Sequence, residues 1–122
     1  MVRLQNVENK QYLHSNIFGK VTVVKQEPDG AQNWVIEMAE GEGKWFYLRN
    51  EVTNLYLDNP VKRKDKIYTN LLYYKNQAQQ WTFEGLRIIN RATGLALSVD
   101  PQSRTNSSKL SDDDKLQLWM HF

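Results

Sequence analysis

Apolar and polar residues alternate along this chain with a period of two, and no segment sustains a 3.6-residue stripe. Trp34-Val35-Ile36-Glu37-Met38 and Lys44-Trp45-Phe46-Tyr47-Leu48-Arg49 are rich in β-branched and aromatic residues, the chemistry of strands. The Glu40-Gly41-Glu42-Gly43 stretch between them is turn chemistry, so the pair predicts a hairpin. Trp81-Thr82-Phe83, Glu84-Gly85 and Leu86-Arg87-Ile88-Ile89 predict a second, tighter one. Further strands are expected over residues 11–15, 20–24, 55–58, 67–74, 95–99, 109–111 and 118–122. Pro28-Asp29-Gly30, Asn59-Pro60 and Asp100-Pro101 are breakers that bound them. The pattern gives about twelve short strands and almost no helix.

A repeat organises these strands. Gln32-Asn33-Trp34, Gln79-Gln80-Trp81 and Gln117-Leu118-Trp119 place three of the four tryptophans in one local context. Upstream lie an aliphatic residue, an Asn and, seven residues after the Asn, a Leu. These are Leu4, Asn6 and Leu13, then Leu48, Asn50 and Leu57, then Ile88, Asn90 and Leu97. The Asn-to-Trp separations are 28, 31 and 29 residues, so independent anchors stay in phase. Three four-stranded units are too few for a propeller, which typically needs four to eight blades. A closed β-trefoil fits: an all-β domain over residues 1–122, with three pseudo-symmetric four-stranded repeats at about 1–43, 44–85 and 86–122. One unit cannot bury its apolar face alone, so Trp34, Trp81 and Trp119 are expected in a shared core. Trp45, outside the motif, has no such requirement. Each repeat Gln is expected to satisfy backbone groups of an adjoining loop.

Composition narrows the classes. The chain has 122 residues, 40% hydrophobic and 11% aromatic, which is globular rather than disordered. No run approaches the ~20 apolar residues of a membrane helix, so no membrane insertion is expected. There is no cysteine, hence no disulfide framework. With no signal-peptide pattern at the first residues, the expected location is cytoplasmic or reached by non-classical secretion. A net charge of +2 gives no reason to expect nucleic acid as a partner. The one basic cluster, Lys62-Arg63-Lys64-Asp65-Lys66, reads as a solvated loop or as a site for a polyanion. Asp112-Asp113-Asp114 reads as a turn.

A threefold Gln-x-Trp repeat on a β-trefoil resembles the ricin-B-type lectins, and the resemblance runs from Leu4 to Trp119. It implies a sugar pocket built from an Asp directly after the apolar residue of the second strand, an aromatic after the core residue of the third, and often an Asn before the Gln. The first position holds His14, Asp58 and Ser98. The second is read as Val24, Tyr73 and Ser111, and the third holds Ala31, Ala78 and Leu116. Only the second unit has both Asp and aromatic. The site is therefore expected at Asp58 and Tyr73, with Asn59, Asn76 and Gln77 standing in for the missing Asn. A carboxylate accepts from two adjacent sugar hydroxyls, and a flat ring covers the C–H face of galactose. Equally, Asp58 could only shape the turn before Asn59-Pro60.

No nucleophile elbow, metalloprotease motif or phosphate loop is present, and no carboxylate pair suits glycoside hydrolysis. Two histidines without cysteine make a poor metal site. The expected function is a non-catalytic carbohydrate-binding lectin or module for galactose- or N-acetylgalactosamine-type glycans on glycoproteins or glycolipids, without cofactor or metal. Several sites or a homodimer would supply avidity. The alternative is a β-trefoil protease inhibitor acting through loops 59–65 and 100–109; a cytokine-like interaction trefoil using the basic cluster is a third reading.

Overall fold

The computed structural model describes residues 1–39 and 43–122, so most of the turn expected at 40–43 lies outside the described residues. The first unit contains β1 (Leu4–Asn6), β2 (Tyr12–Ser15), β3 (Val21–Val24) and β4 (Trp34–Met38). The second contains β5 (Phe46–Asn50), β6 (Tyr56–Asp58), β7 (Tyr68–Asn70) and β8 (Trp81–Glu84). The third contains β9 (Arg87–Asn90), β10 (Ala96–Val99), β11 (Thr105–Ser108) and β12 (Trp119–His121). No α-helix occurs among the described residues; single 3₁₀ turns lie at Gly30–Gln32, Val61–Arg63, Gln77–Gln79 and Lys115–Gln117.

The outer strands of the units close a barrel. β4 pairs with β5, β8 with β9 and β12 with β1, all antiparallel. Phe46 opposite Trp81 joins β5 to β8, Val2 opposite Trp34 joins the start of the chain to β4, and Trp119 N–H donates to the Leu86 carbonyl at 2.8 Å. The inner strands of each unit form the hairpins β2–β3, β6–β7 and β10–β11. This is a β-trefoil with three pseudo-symmetric four-stranded repeats.

The anchors of the repeat fall on equivalent contacts. Leu4, Leu48, Ile88, Leu13, Leu57, Leu97 and the three motif tryptophans form one buried cluster. Each indole N–H donates to the carbonyl of its unit's Leu: Trp34 to Leu13 at 3.1 Å, Trp81 to Leu57 at 2.9 Å and Trp119 to Leu97 at 2.9 Å. Each buried Asn spans two units or two loops. Its amide donates to the carbonyl of Leu116, Ala31 or Ala78, while its oxygen accepts from the backbone two and three residues on. Each repeat Gln clamps the segment after the third strand of its unit. Gln32 joins the Lys25 carbonyl to Glu27 N–H, Gln79 joins Leu71 to Tyr73, and Gln117 joins Lys109 to Ser111. The expected role of the Gln is borne out three times. Trp45 is only half-buried.

Most strand boundaries fall within two residues of the sequence reading, and two strands depart from it further. The third strand of the last unit is Thr105–Ser108 rather than residues 109–111. Its Thr-Asn-Ser-Ser content carries no apolar signal, yet all four residues pair with β10. The third strand of the second unit stops at Asn70 rather than Tyr74. Leu71 to Tyr74 read as a strand because they are apolar and aromatic, but Gln79 takes their backbone groups and no strand pairs with them.

Truncating Trp81 to Ala removes a fully buried ring together with the Leu57 bond, and should cost about 3–5 kcal/mol in denaturant unfolding. The same change at half-buried Trp45 should cost clearly less.

Candidate functional site

The ladder register fixes which positions are equivalent. Leu13, Leu57 and Leu97 lie opposite Val23, Thr69 and Ser107. His14, Asp58 and Ser98 are therefore equivalent, as the sequence reading had it. The residue directly after the core position of the third strand is Val24, Asn70 or Ser108. Tyr73 and Ser111 are instead equivalent to Glu27, because each donates its backbone N–H to the repeat Gln. The assignment of Tyr73 and Ser111 to the third strand is thus corrected; Tyr73 reaches the site from the clamped loop.

That loop also carries a cap. Asp29, Asn76 and Asp114 each accept the N–H two residues on, from Ala31, Ala78 and Leu116, all at 3.0 Å. In the first unit, His14, Glu27 and Asp29 present ligand-type atoms within 4.8 Å of one another. Their equivalents in the second unit are Asp58, Tyr73 and Asn76. By this equivalence Asp58, Tyr73 and Asn76 occupy in the second unit the backbone positions that His14, Glu27 and Asp29 occupy in the first. His14, Glu27 and Asp29 are also the group of described residues with metal-ligand chemistry, although Asp29 is already engaged as a cap. The other histidine, His121, is stacked on Phe83 with centroids 4.8 Å apart.

Asp58 is the unusual member. Its side chain is only 3% exposed, and Oδ1 has no hydrogen-bond partner. Burial pushes its carboxyl up to about 6, and a hydrogen bond from the Gln79 side chain pulls it partly back. Tyr68, opposite Asp58 across the hairpin, has its hydroxyl pKa raised by burial and then by the neighbouring carboxylate. Tyr73 is 53% exposed. Asn59 behaves differently. It is fully buried, donates to the Lys64 and Lys66 carbonyls at 3.0 and 2.8 Å, and accepts from Thr93 Oγ1 at 2.8 Å. Its side chain holds the 60–66 loop in place.

Gln77 lines a cleft of about 410 Å³ beside this face. Tyr47, Tyr56, Leu72 and Tyr74 form its walls, with Lys75 and Arg91 at its edge. Tyr56 shares the outward face of β6 with Asp58, since alternate residues of a strand point the same way. Its hydroxyl is pushed up to about 12 by burial and by a hydrogen bond to Glu37. Gln80 bridges Arg91 (2.8 Å) to the Tyr47 hydroxyl (3.2 Å). Sequence reasoning missed this cleft because its residues come from five strands and loops; the exposed Leu71-Leu72-Tyr73-Tyr74 run was its one visible signal.

The equivalent positions of the third unit are Ser98, Ser111 and Asp114. Asp100 is drawn into its own turn: Arg104 and Gln102 N–H donate to Oδ1 at 2.9 Å, and Arg104 Nε meets Oδ2 at 2.7 Å. Those bonds, led by the Arg104 N–H, hold its carboxyl below the usual range. Of the loop read as 100–109 for the inhibitor alternative, Thr105–Ser108 is strand β11.

No protein-family model matches this chain, and no curated protein matches it. Solved structures do. SeviL bound to asialo-GM1 saccharide superposes with a TM-score of 0.81 at 14% identity, covering 99% of this chain and 94% of that one. The designed threefold-symmetric protein ThreeFoil gives 0.83 at 17% identity, covering 98% and 96%. An endo-β-galactosidase from Clostridium perfringens that releases GlcNAcα1-4Gal gives 0.84 at 15% identity, but this chain spans only 31% of its length. At these identities the likeness establishes the β-trefoil fold.

The Asp58 carboxyl sets a pH test. Burial raises its folded pKa above the ordinary carboxyl value of 3.8, so the native state holds the proton more tightly. Stability from this group is then greatest below about pH 4 and falls as pH rises to about 6. Asp58→Asn should gain up to roughly 3 kcal/mol at pH 7, with the advantage vanishing in acid. Urea unfolding at several pH values reads this directly.

Proposed function

We propose that this protein is a carbohydrate-binding lectin or module, that it takes galactose- or N-acetylgalactosamine-type glycans of glycoproteins or glycolipids, and that it does so in its second repeat. The observation that carries the reading is Asp58. A buried carboxylate with an unpartnered oxygen costs stability, and such cost concentrates at functional sites. Sugar hydroxyls are the neutral donors that would relieve it, through charge-assisted bonds. Since Asp58 is 3% exposed, a ligand reaches it after neighbouring side chains shift. Tyr73 offers the exposed ring for the C–H face, Asn76 lies at the equivalent of a position that meets the Asp58 equivalent in the first unit, and Gln77 leads into the tyrosine-walled cleft where a second sugar would lie. Asn59 is left out of ligand contact, since its buried amide fixes the 60–66 turn instead. A trefoil bound to a saccharide among the structural neighbours supports the reading. The role proposed for these residues is binding.

One shallow site of this kind gives an affinity between about millimolar and micromolar. A homodimer would raise avidity, and a location in the cytoplasm or outside the cell without classical secretion completes the proposal.

Titration with galactose, N-acetylgalactosamine and lactose tests it. Asp58→Ala should abolish most binding, Tyr73→Ala should weaken it, and Tyr73→Phe should be milder. His14→Ala and Ser98→Ala should bind like the parent. Binding should also weaken as pH falls below about 6, because the protonated carboxyl loses its charge-assisted bonds. Unchanged binding by Asp58→Ala would place the site elsewhere.

A further inference from the structure

The three hairpin turns meet at one end of the barrel. Lys20 bridges to Tyr68 and Thr22 to Arg104, Thr105 Oγ1 donates to the Val21 carbonyl at 2.8 Å, and Ser107 Oγ donates to that of Lys64. Together they surround a depression of about 630 Å³. Lys20, Lys66 and Arg104 each stand immediately before the first inward residue of a third strand, so they form a ring around the pseudo-threefold axis. The turn segments 16–20, 59–67 and 100–104 hold six Lys or Arg against two Asp, a net +4. The whole chain carries +2, so the remainder is net −2 and the charge is segregated to this end.

The same end exposes apolar side chains. Ile17 is 70%, Phe18 87% and Val61 52% exposed. Turn positions favour Gly, Pro, Asn, Asp and Ser, so Ile-Phe at a turn tip has no local cause. The turn is also rigid. Asn16 Oδ1 accepts from Phe18 and Lys20 N–H at 2.9 and 3.0 Å. Gly19 adopts φ +84°, and a Cβ there would meet the Thr69 carbonyl oxygen at 2.6 Å. The turn is therefore seated against β7, with Ile17 and Phe18 held out into water.

We propose that this end docks on an anionic phospholipid surface. Ile17 and Phe18 enter the boundary between headgroups and acyl chains, and the six cations lie over anionic headgroups. A soluble sulfated glycan would satisfy the cations and leave the apolar pair in water, so the pair selects lipid. The proposal asks for shallow entry of one turn into the headgroup boundary; no helix of the described residues is long and apolar enough to span a bilayer.

Vesicle flotation with sugar-free lipids tests this apart from glycan binding. The protein should float with phosphatidylcholine vesicles containing phosphatidylserine, not with phosphatidylcholine alone, and high salt should release it. Ile17→Ser with Phe18→Ser, and Lys62→Glu with Arg63→Glu, should each weaken flotation about tenfold or more while leaving the melting temperature unchanged. Asp58→Ala should float like the parent. Phe18→Trp should gain a blue-shifted emission component only with anionic vesicles. Equal flotation with neutral vesicles, parent-like binding by either double variant, or capture by heparin without flotation would overturn the proposal.

Discussion

Every other feature of this fold depends on buried side-chain amides and indoles satisfying backbone groups across loops. A trefoil places irregular segments between short strands, and those segments pass close to the core. Their N–H and C=O groups cannot all reach water or a ladder, and each left unpaired costs about 1–3 kcal/mol. Three indoles, three asparagines and three glutamines supply the missing partners at equivalent places. The strands themselves are only three to five residues long and could not fix the loops by pairing alone.

This explains what was legible in the sequence. The residues that repeat are those that meet a backbone need common to all three units, so Asn, Leu, Gln and Trp recur in phase and betray the fold. Strands whose stability comes from such clamps need little intrinsic propensity. Thr105–Ser108 is the clear case: four polar residues pair fully with β10 while giving no strand signal. Conversely, Leu71 to Tyr74 carry the signal without the strand, because Gln79 has taken their backbone groups. Period-two reading detects side-chain burial, and both failures arise where burial and pairing part company.

The site was legible in part for the same reason. The position of Asp58 follows from the Leu57 anchor, which repeats, so its equivalence to His14 and Ser98 could be counted off. The step from the third strand to the clamped residue is three in every unit, and the strand was placed three residues too late in the second and third, where Asn70 and Ser108 carry no apolar signal. It is the glutamine clamp, not the strand, that sets the place of Tyr73. The cleft walled by Tyr47, Tyr56 and Tyr74 had no sequence signature, since its walls meet only after the barrel closes.

The clamps also separate stability from recognition. Backbone position at His14, Asp58 and Ser98 is fixed by the ladder on one side and the indole bond to the preceding carbonyl on the other. The side chain at that position is then free to differ, and the three units carry an imidazole, a carboxyl and a hydroxyl there. The turns differ likewise, carrying Ile-Phe, a run of cations, and Pro-Gln. A residue that costs stability, such as buried Asp58 or exposed Phe18, is tolerable because the repeated contacts hold its backbone regardless. Such costly residues are therefore informative: with the frame already secured, neither a half-satisfied carboxylate nor an apolar turn tip has a counterpart at the equivalent positions of the other repeats.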